Sequence, residues 1–282
     1  MEKIEYVNVL KNKKLPDDYH CECDRCRTSL GELRRESGEY YSRLERRKYY
    51  AKEEMGEAGH IAKTPLHIAR WAVQEFTDPG DWVLDPTMGA GTTAVEALIQ
   101  GRNAFGVEIQ YIDIIKANIA KNMRNGCQAL IVKGDARDLK KHANGHTFKL
   151  VVNNPPYSGD EGQAGIGKPN YSYQDGLPNL AFFREGKGYE EAMLQIYTAC
   201  AELMEPGGHL VIGVKDMMRN KKPYMLHTQL TEIVLKTGLE FVGTALLKHH
   251  PTTLFINTYE RRYGVMVPMY QTIVVFKKPE AA

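Results

Sequence analysis

The feature that most limits the fold of this chain is a regular alternation of short apolar runs with amphipathic stretches from residue 82 onwards. The runs have the length of buried strands, and the stretches between them repeat apolar residues at helical spacing. We predict strands at residues 82–86, 104–109, 129–133, 149–153 and 209–215, and helices at residues 92–101, 111–124, 189–204 and 223–237. Because strands that alternate with helices form βαβ units, the pattern predicts an α/β domain with a mostly parallel sheet.

The end of the chain breaks this alternation. Residues 239–247 and 271–276 both have the pattern of strands, and no helical stretch separates them. Parallel neighbours need a crossover, usually a helix, whereas antiparallel neighbours do not. We therefore predict a terminal antiparallel pair.

Length and composition suggest one main domain with small additions. With 282 residues, of which 43% are hydrophobic, the chain can bury one full α/β core. Residues 1–55 are charged and rich in tyrosine, and we expect them to form a helical N-terminal extension before a domain at 56–282. Two long segments, 158–188 and 248–264, are predicted to be loops, the first of them a lid.

The charge pattern and the lack of long apolar runs bear on location and partners. No run of 18 apolar residues occurs, and the amino terminus lacks the apolar stretch of a secretion signal. We therefore expect a soluble, cytoplasmic protein without a membrane partner. The net charge of +2 decides little, but basic residues interleaved with tyrosines at residues 40–50 fit contacts to a nucleic acid.

A glycine-bearing turn follows the first predicted strand. Residues 85–93 read Asp-Pro-Thr-Met-Gly-Ala-Gly-Thr-Thr. Gly89 and Gly91 let a ligand approach the backbone with no Cβ in the way, and Thr92 or Thr93 can cap the next helix. The third glycine of a dinucleotide signature is absent, which favours a nucleoside cofactor without phosphates.

Two acidic residues follow the next two predicted strands. Glu108 ends the second strand about 20 residues after the glycine turn, where a carboxylate can accept hydrogen bonds from ribose hydroxyls. Asp135 follows the third strand and is placed to meet an adenine amino group. Together with the glycine turn, these acids predict a site for a nucleoside cofactor.

A second turn follows the fourth predicted strand and consists of Asn154, Pro155, Pro156 and Tyr157. The carboxyl ends of parallel strands meet at one edge of a sheet, so this turn should lie beside the glycine turn. The two turns predict a cofactor site next to a slot that holds a planar amine.

On these motifs the chain resembles the S-adenosylmethionine-dependent amino-methyltransferases that act on exocyclic nitrogens of adenine or cytosine in DNA. The resemblance covers about residues 60–280, and the motif order is similar to that of the unpermuted members. It implies an α/β, Rossmann-like, doubly wound class I methyltransferase fold with residues 56–282 as the catalytic domain. It also implies S-adenosylmethionine as cofactor and DNA as the favoured partner.

The resemblance assigns the site residues as well. The catalytic turn comprises Asn154, Pro155, Pro156 and Tyr157. The residues expected to bind the cofactor are Lys63, Thr64, Pro65, Asp85, Pro86, Thr87, Gly89, Gly91, Thr92, Thr93, Glu108, Ile109, Asp135 and Ala136. The residues expected to bind the substrate are Tyr157, Phe182, Phe183, Arg261 and Arg262.

The chemistry of the reaction explains these residue types. An exocyclic base amine is a poor nucleophile, since its lone pair is delocalised into the ring. The Asn154 side-chain oxygen and the Pro155 carbonyl would accept the amine hydrogens and turn the lone pair toward the methyl group. Asparagine is no general base, so activation here means orientation. Tyr157 would stack on a flipped base, with Phe182 or Phe183 on its other face.

Other functions stay open at this stage. A turn of this type also occurs in enzymes that methylate base amines in RNA, and in enzymes that methylate glutamine, whose glycine motif lacks the form found here. RNA is the stronger competitor, because only residues 1–55, 158–188 and 248–264 are available to read a DNA sequence. A binding subunit without catalysis is disfavoured by the intact motifs. Asparagine in the first position favours adenine N6 over cytosine N4.

A separate cluster near the amino terminus consists of His20, Cys21, Cys23 and Cys26. Three thiols and an imidazole could bind zinc. The usual pair of spaced Cys-x-x-Cys arms is absent, however, and Cys21 and Cys23 are closely spaced. We expect a reduced cysteine cluster, with zinc as the alternative.

Overall fold

The computed structural model describes residue 50 and residues 64–157, 188–219, 222–248, 256–268 and 270–280. The predicted N-terminal extension at 1–55, apart from Tyr50, and the predicted lid at 158–188, apart from Gly188, lie outside these residues. The described part of the chain forms a seven-stranded sheet and a separate two-stranded hairpin.

Helices and strands alternate through most of the described ranges. The helices are α1 (Leu66–Phe76), α2 (Thr92–Ile99), α3 (Ile112–Asn122), α4 (Leu139–Ala143), α5 (Tyr189–Leu203) and α6 (Leu226–Leu235). The strands are β1 (Trp82–Asp85), β2 (Asn103–Glu108), β3 (Ala129–Lys133), β4 (Phe148–Asn153), β5 (Met204–Lys215), β6 (Met217–Arg219), β7 (Lys222–Tyr224), β8 (Glu240–Lys248) and β9 (Tyr270–Lys277). A 3₁₀ turn, Ala136–Asp138, precedes α4, and a π-helix, Ile256–Arg261, precedes β9.

The sheet has the strand order β3-β2-β1-β4-β5-β9-β8. Strands β1 to β5 are mutually parallel, whereas β9 runs antiparallel to both β5 and β8. The predicted mostly parallel sheet with a terminal antiparallel pair is therefore confirmed. The chain order reverses between β1 and β4, and ligands of such sheets bind beyond the carboxyl ends of the strands at this point.

Apolar side chains on the two faces of the sheet build two cores. Along β4, Val151 faces one core while Leu150 and Val152 face the other, as expected from the two-residue repeat of a strand. Helices α1, α2 and α3 pack on the face of Leu150, and α4, α5 and α6 pack on the face of Val151. Because helices cover both faces, the sheet is doubly wound.

Three local predictions were wrong. Strand β5 begins at Met204 rather than at residue 209, directly after α5. The predicted helix at 223–237 begins only at Leu226, because Lys222–Tyr224 is held extended by pairing with Met217–Arg219. The predicted loop at 248–264 contains the π-helix. In the described ranges, no helix is long and apolar enough to cross a membrane.

Candidate active site at the carboxyl edge of the sheet

The parallel strands bring the residues of both predicted turns to one edge of the sheet. Asp85 is the last residue of β1 and Glu108 the last residue of β2. Asp135 lies two residues beyond the end of β3, and Asn154 directly follows β4. This edge includes the reversal point between β1 and β4, where a ligand crevice is expected.

The glycine turn depends on two left-handed residues. Gly89 has a φ of 55° and Gly91 a φ of 81°, a region in which a Cβ is unfavourable. Gly91 is the N-cap of α2 and no side chain caps this helix, so the expectation that Thr92 or Thr93 caps it was wrong. The Thr93 hydroxyl instead donates to Asp85 Oδ2 at 2.6 Å, because a buried carboxylate requires hydrogen-bond donors.

Asp85 is a buried acid that is only 5% exposed. Burial raises the pKa of Asp85 to about 7, against the opposing hydrogen bonds from the Thr93 hydroxyl and the Thr87 backbone. The nearby charge of Glu108 also raises the pKa of Asp85. Ionisation of Asp85 near neutral pH is therefore sensitive to any charge placed beside it.

Glu108 joins the glycine turn to the second strand. Its Oε2 accepts a hydrogen bond from Gly89 N at 2.7 Å, and its Oε1 accepts one from Gln110 N at 2.9 Å. Burial raises the pKa of Glu108, although several backbone hydrogen bonds lower it. Each carboxylate oxygen can accept a further hydrogen bond, so donors of a ligand can still be bound.

Asp135 pairs with Arg137, which the sequence analysis had not singled out. The guanidinium donates to Asp135 Oδ2 at 2.6 Å, and Arg137 N donates to Oδ1 at 2.9 Å. Partial burial raises the pKa of Asp135, but the hydrogen bonds and charge of Arg137 outweigh this effect and hold the pKa below its usual value. A cofactor amine at this carboxylate would have to share it with Arg137.

The side-chain oxygen of Asn154 is the most unusual group of the turn at residues 154–157. This oxygen, Oδ1, is buried and accepts no hydrogen bond in the described part of the structure. Buried polar atoms are nearly always paired, so an unpaired acceptor at a strand end calls for an explanation.

The rest of this turn is held from two sides. The Pro156 carbonyl accepts a hydrogen bond from the Tyr189 hydroxyl at 3.0 Å. The Tyr157 hydroxyl accepts one from Lys215 N in β5, also at 3.0 Å. Burial raises the pKa of Tyr157 to about 12, and its ring packs against the core on the face of α5. Tyr157 is thus fixed in orientation as well as in position.

Asn153 and Tyr197 are site residues that the sequence analysis missed. Asn153 is fully buried, and its Nδ2 donates to Thr87 Oγ1 at 2.7 Å. The Tyr197 hydroxyl donates to Asn153 Oδ1 at 2.9 Å. These bonds link the two turns directly. The sequence does contain one indication of the role of Asn153. It is a polar residue at the end of an apolar strand, and a buried polar side chain needs hydrogen-bond partners.

Asn118 and Arg70 support the site from the helices. The buried Asn118 side chain of α3 donates to the Ala90 carbonyl of the glycine turn at 2.9 Å. Arg70 of α1 makes a two-point ion pair with the buried Glu96 of α2, with N–O distances of 2.7 and 3.0 Å. This pair joins α1, which directly follows the predicted Thr64 and Pro65, to α2, which directly follows the glycine turn.

The remaining predicted residues are placed as follows. Pro86 and Thr92 are buried, Thr87 and Ile109 are half-buried, and Ala136 is buried at the start of the 3₁₀ turn. Arg261 and Arg262 are exposed at the end of the π-helix, and the Arg262 guanidinium lies 5.5 Å from the Tyr263 ring centroid.

Several predicted residues lie outside the described residues. They are Lys63, Phe182, Phe183 and the candidate zinc ligands His20, Cys21, Cys23 and Cys26. Within the described ranges, no group of three or more His, Cys, Asp or Glu side chains could hold a metal ion.

Parts of this chain are similar to known methyltransferases. Residues 3–117 match the family model described as DNA methylase. The chain is 44% identical over 62 residues to the Type II methyltransferase M.BglI of Bacillus subtilis, covering 21% of this chain and 18% of that protein. It is 33% identical over 94 residues to the tRNA (guanine(10)-N2)-dimethyltransferase of Pyrococcus abyssi, covering 33% and 28%. The matched segments therefore span less than a third of these relatives.

Among solved structures, TrmN from Thermus thermophilus superposes with a TM-score of 0.48 at 15% identity, over 77% of this chain and 50% of that chain. Identity this low has no bearing on function. The family match includes the glycine turn and Glu108. Over part of its length, the chain is therefore similar to DNA methyltransferases.

Proposed function

We propose that this protein transfers a methyl group from S-adenosylmethionine to the exocyclic amino group of a base in DNA, with adenine N6 favoured. The observation that carries the proposal is the buried Asn154 Oδ1, which has no hydrogen-bond partner in the described part of the structure. Leaving such an acceptor unpaired costs about 1–3 kcal/mol. That cost is recovered if the substrate amine donates a hydrogen to this atom.

The residues at the carboxyl edge fit S-adenosylmethionine, which supplies an electrophilic methyl group when bound. Asp85 and Glu108 are buried carboxylates with capacity for ligand donors such as an ammonium group and ribose hydroxyls. Gly89 has no side chain and leaves room for a ligand to approach the turn, whereas a Cβ on Gly91 would lie 3.2 Å from the Ile115 side chain of α3. The positive charge of this cofactor would favour the ionised form of Asp85.

The turn after β4 would orient the acceptor amine. Asn154 Oδ1 and the Pro155 carbonyl accept its two hydrogens, which directs the nitrogen lone pair out of the plane of the base. The residue after Asn154 is a proline, which restricts the Asn154 backbone to extended conformations. The acceptors are thus fixed before the substrate arrives, and orientation of this kind contributes to the rate without a proton acceptor.

Tyr157 would hold the base by stacking. A base inside a duplex is out of reach, so enzymes that modify it flip it into a pocket between apolar or aromatic side chains. The hydrogen bond from Lys215 N to the Tyr157 hydroxyl fixes the direction of the ring. A fixed ring loses little conformational freedom when the base stacks on it.

DNA is favoured as the substrate over RNA. The family model is described as DNA methylase, and four of the relatives are Type II methyltransferases. RNA is the second candidate, because the tRNA methyltransferase relative matches over 94 residues, compared with 62 for M.BglI.

The test is to incubate the protein with isotope-labelled S-adenosylmethionine and DNA, RNA or neither, and to identify the methylated nucleoside by mass spectrometry. We expect N6-methyladenine in DNA. Label found only in RNA would move the assignment to the second candidate, and label found only in the protein would exclude both. The Asn154→Ala variant is the negative control, because it lacks the acceptor on which the proposal depends.

A further inference from the structure

Gly213 of β5 lies directly against the side chain of Asn154. A Cβ placed on Gly213 would lie 2.7 Å from Asn154 Oδ1, 3.3 Å from Asn154 Cγ and 3.0 Å from Ile68 Cδ1 of α1. A Cβ essentially never approaches another heavy atom within 3.0 Å. Any side chain at position 213 would therefore displace the amide of Asn154.

The backbone of Asn154 cannot easily absorb this displacement. Pro155 restricts its backbone on one side. Asn153 on the other side is held by its hydrogen bonds to Thr87 and Tyr197. The change would have to occur in the Asn154 side-chain torsions, which set the direction of Oδ1.

Strand β5 supports the catalytic turn over its last residues. The pairing of β4 with β5 extends to Asn153 and Ile212, whereas β5 continues to Lys215 alongside β9. Within this continuation, Gly213 leaves room for the Asn154 amide and Lys215 N binds the Tyr157 hydroxyl. The end of β5 thus lies against both polar side chains of the turn, Asn154 and Tyr157.

We propose that Gly213 is a positioning residue for methyl transfer, because its missing side chain sets the position of Asn154 Oδ1. This inference rests on the proposed function, in which that oxygen orients the amine. In this proposal Gly213 contacts neither the cofactor nor the base.

The kinetic test uses Gly213→Ala. A misplacement of about 1 Å can lower a rate about a hundredfold, so we expect kcat to fall between about 10-fold and 100-fold. The dissociation constant for S-adenosylmethionine, measured by calorimetry, should stay within about twofold, since the carboxylates proposed to bind it lie at the ends of β1 and β2 and after β3. A matched control is Gly243→Ala in β8 of the same sheet, where a Cβ would meet nothing within 4 Å. This control should keep the wild-type kcat.

A second measurement tests the contact without any activity. Gly213→Ala should lower Tm more in the wild-type background than in the Asn154→Ala background, where the clashing amide is absent and only the close approach to Ile68 Cδ1 remains. Gly243→Ala corrects for the smaller conformational freedom of alanine in the unfolded chain. Equal Tm changes in both backgrounds, or an unchanged kcat in Gly213→Ala, would overturn the proposal. Coupled Tm changes in a protein that methylates no nucleic acid would instead refute the proposed function and leave the contact established.

Discussion

The side-chain amide of Asn153 donates a hydrogen bond to the hydroxyl oxygen of Thr87, and the two atoms lie 2.7 Å apart. This bond connects the end of β4 with the turn after β1, and Tyr197 of α5 donates a second hydrogen bond to the same Asn153 side chain. The proposed acceptor site and the proposed cofactor site therefore share one buried hydrogen-bond network.

Tyr197→Phe tests the stability of this network. The substitution removes the donor to Asn153 Oδ1 and leaves a buried acceptor unpaired, so we expect a loss of about 1–2 kcal/mol in the free energy of unfolding. Urea unfolding measures it. Tyr270→Phe, at a side chain that is 45% exposed, should change the free energy by less than about 0.5 kcal/mol. Similar losses in the two variants would show that the network does not contribute.

Asn154→Ala separates transfer from cofactor binding. Loss of one preorganised hydrogen-bonding group in an active site lowers kcat about 100- to 1,000-fold, and we expect a loss of at least this size. The dissociation constant for S-adenosylmethionine should stay within about twofold, because Asn154 orients only the amine in the proposed reaction. A rate near that of the wild type, or a large loss of cofactor affinity, would contradict the assigned role.

The raised pKa of Asp85 predicts a pH-dependent cofactor affinity. Asp85 has a pKa of about 7 instead of 3.8, so below pH 7 it must lose a proton before it can bind the positive charge of S-adenosylmethionine. Affinity should rise with pH by up to about tenfold per unit below pH 7 and level off above it. Calorimetry at several pH values measures this change, and Glu108, whose pKa is also raised, would act in the same direction.

Asp85 also affects the stability of the cofactor-free protein. This stability should fall as the pH rises, whereas the cofactor affinity should rise. Between about pH 4 and pH 7, native Asp85 retains a proton that the unfolded chain has lost. The contribution of Asp85 to stability is therefore lost as the pH rises through this window. Asp85→Asn, which cannot ionise, should weaken both trends. An affinity that does not vary with pH in the wild-type protein would argue against this role of Asp85.

The ion pair between Arg70 and Glu96 gives a prediction for the scaffold. Glu96 is fully buried, and Arg70→Met would remove a two-point partner of its charge, so we expect a loss of about 3 kcal/mol. Lys140→Met breaks a pair whose side chains are 63% and 48% exposed, and should cost less than about 1 kcal/mol. Thermal unfolding of both variants measures the difference. Equal losses would mean that burial does not strengthen the first pair.

Much of the fold was predictable because its signals are local. The predicted strands at 82–86, 104–109 and 129–133 agree with β1, β2 and β3 to within one residue at each end. The helix–strand alternation required a parallel sheet, and the lack of a helix near the end indicated the antiparallel pair. Two of the errors occurred where strand pairing overrides local preference: Met204 pairs with Phe148, and Lys222–Tyr224 is kept extended by the neighbouring Met217–Arg219.

The candidate site was likewise only partly predictable from the sequence. The sequence by itself determined which candidate residues lie at one edge of the sheet, because Asp85, Glu108 and Asn154 follow strand patterns whose ends must meet there in a parallel sheet. Only the tertiary structure decided that Asn153 and Tyr197 connect the end of β4 with the glycine turn, and that Gly213 leaves room for the Asn154 amide. These contacts join residues far apart in the chain or on different strands, and strand patterns carry no information on which side chains meet.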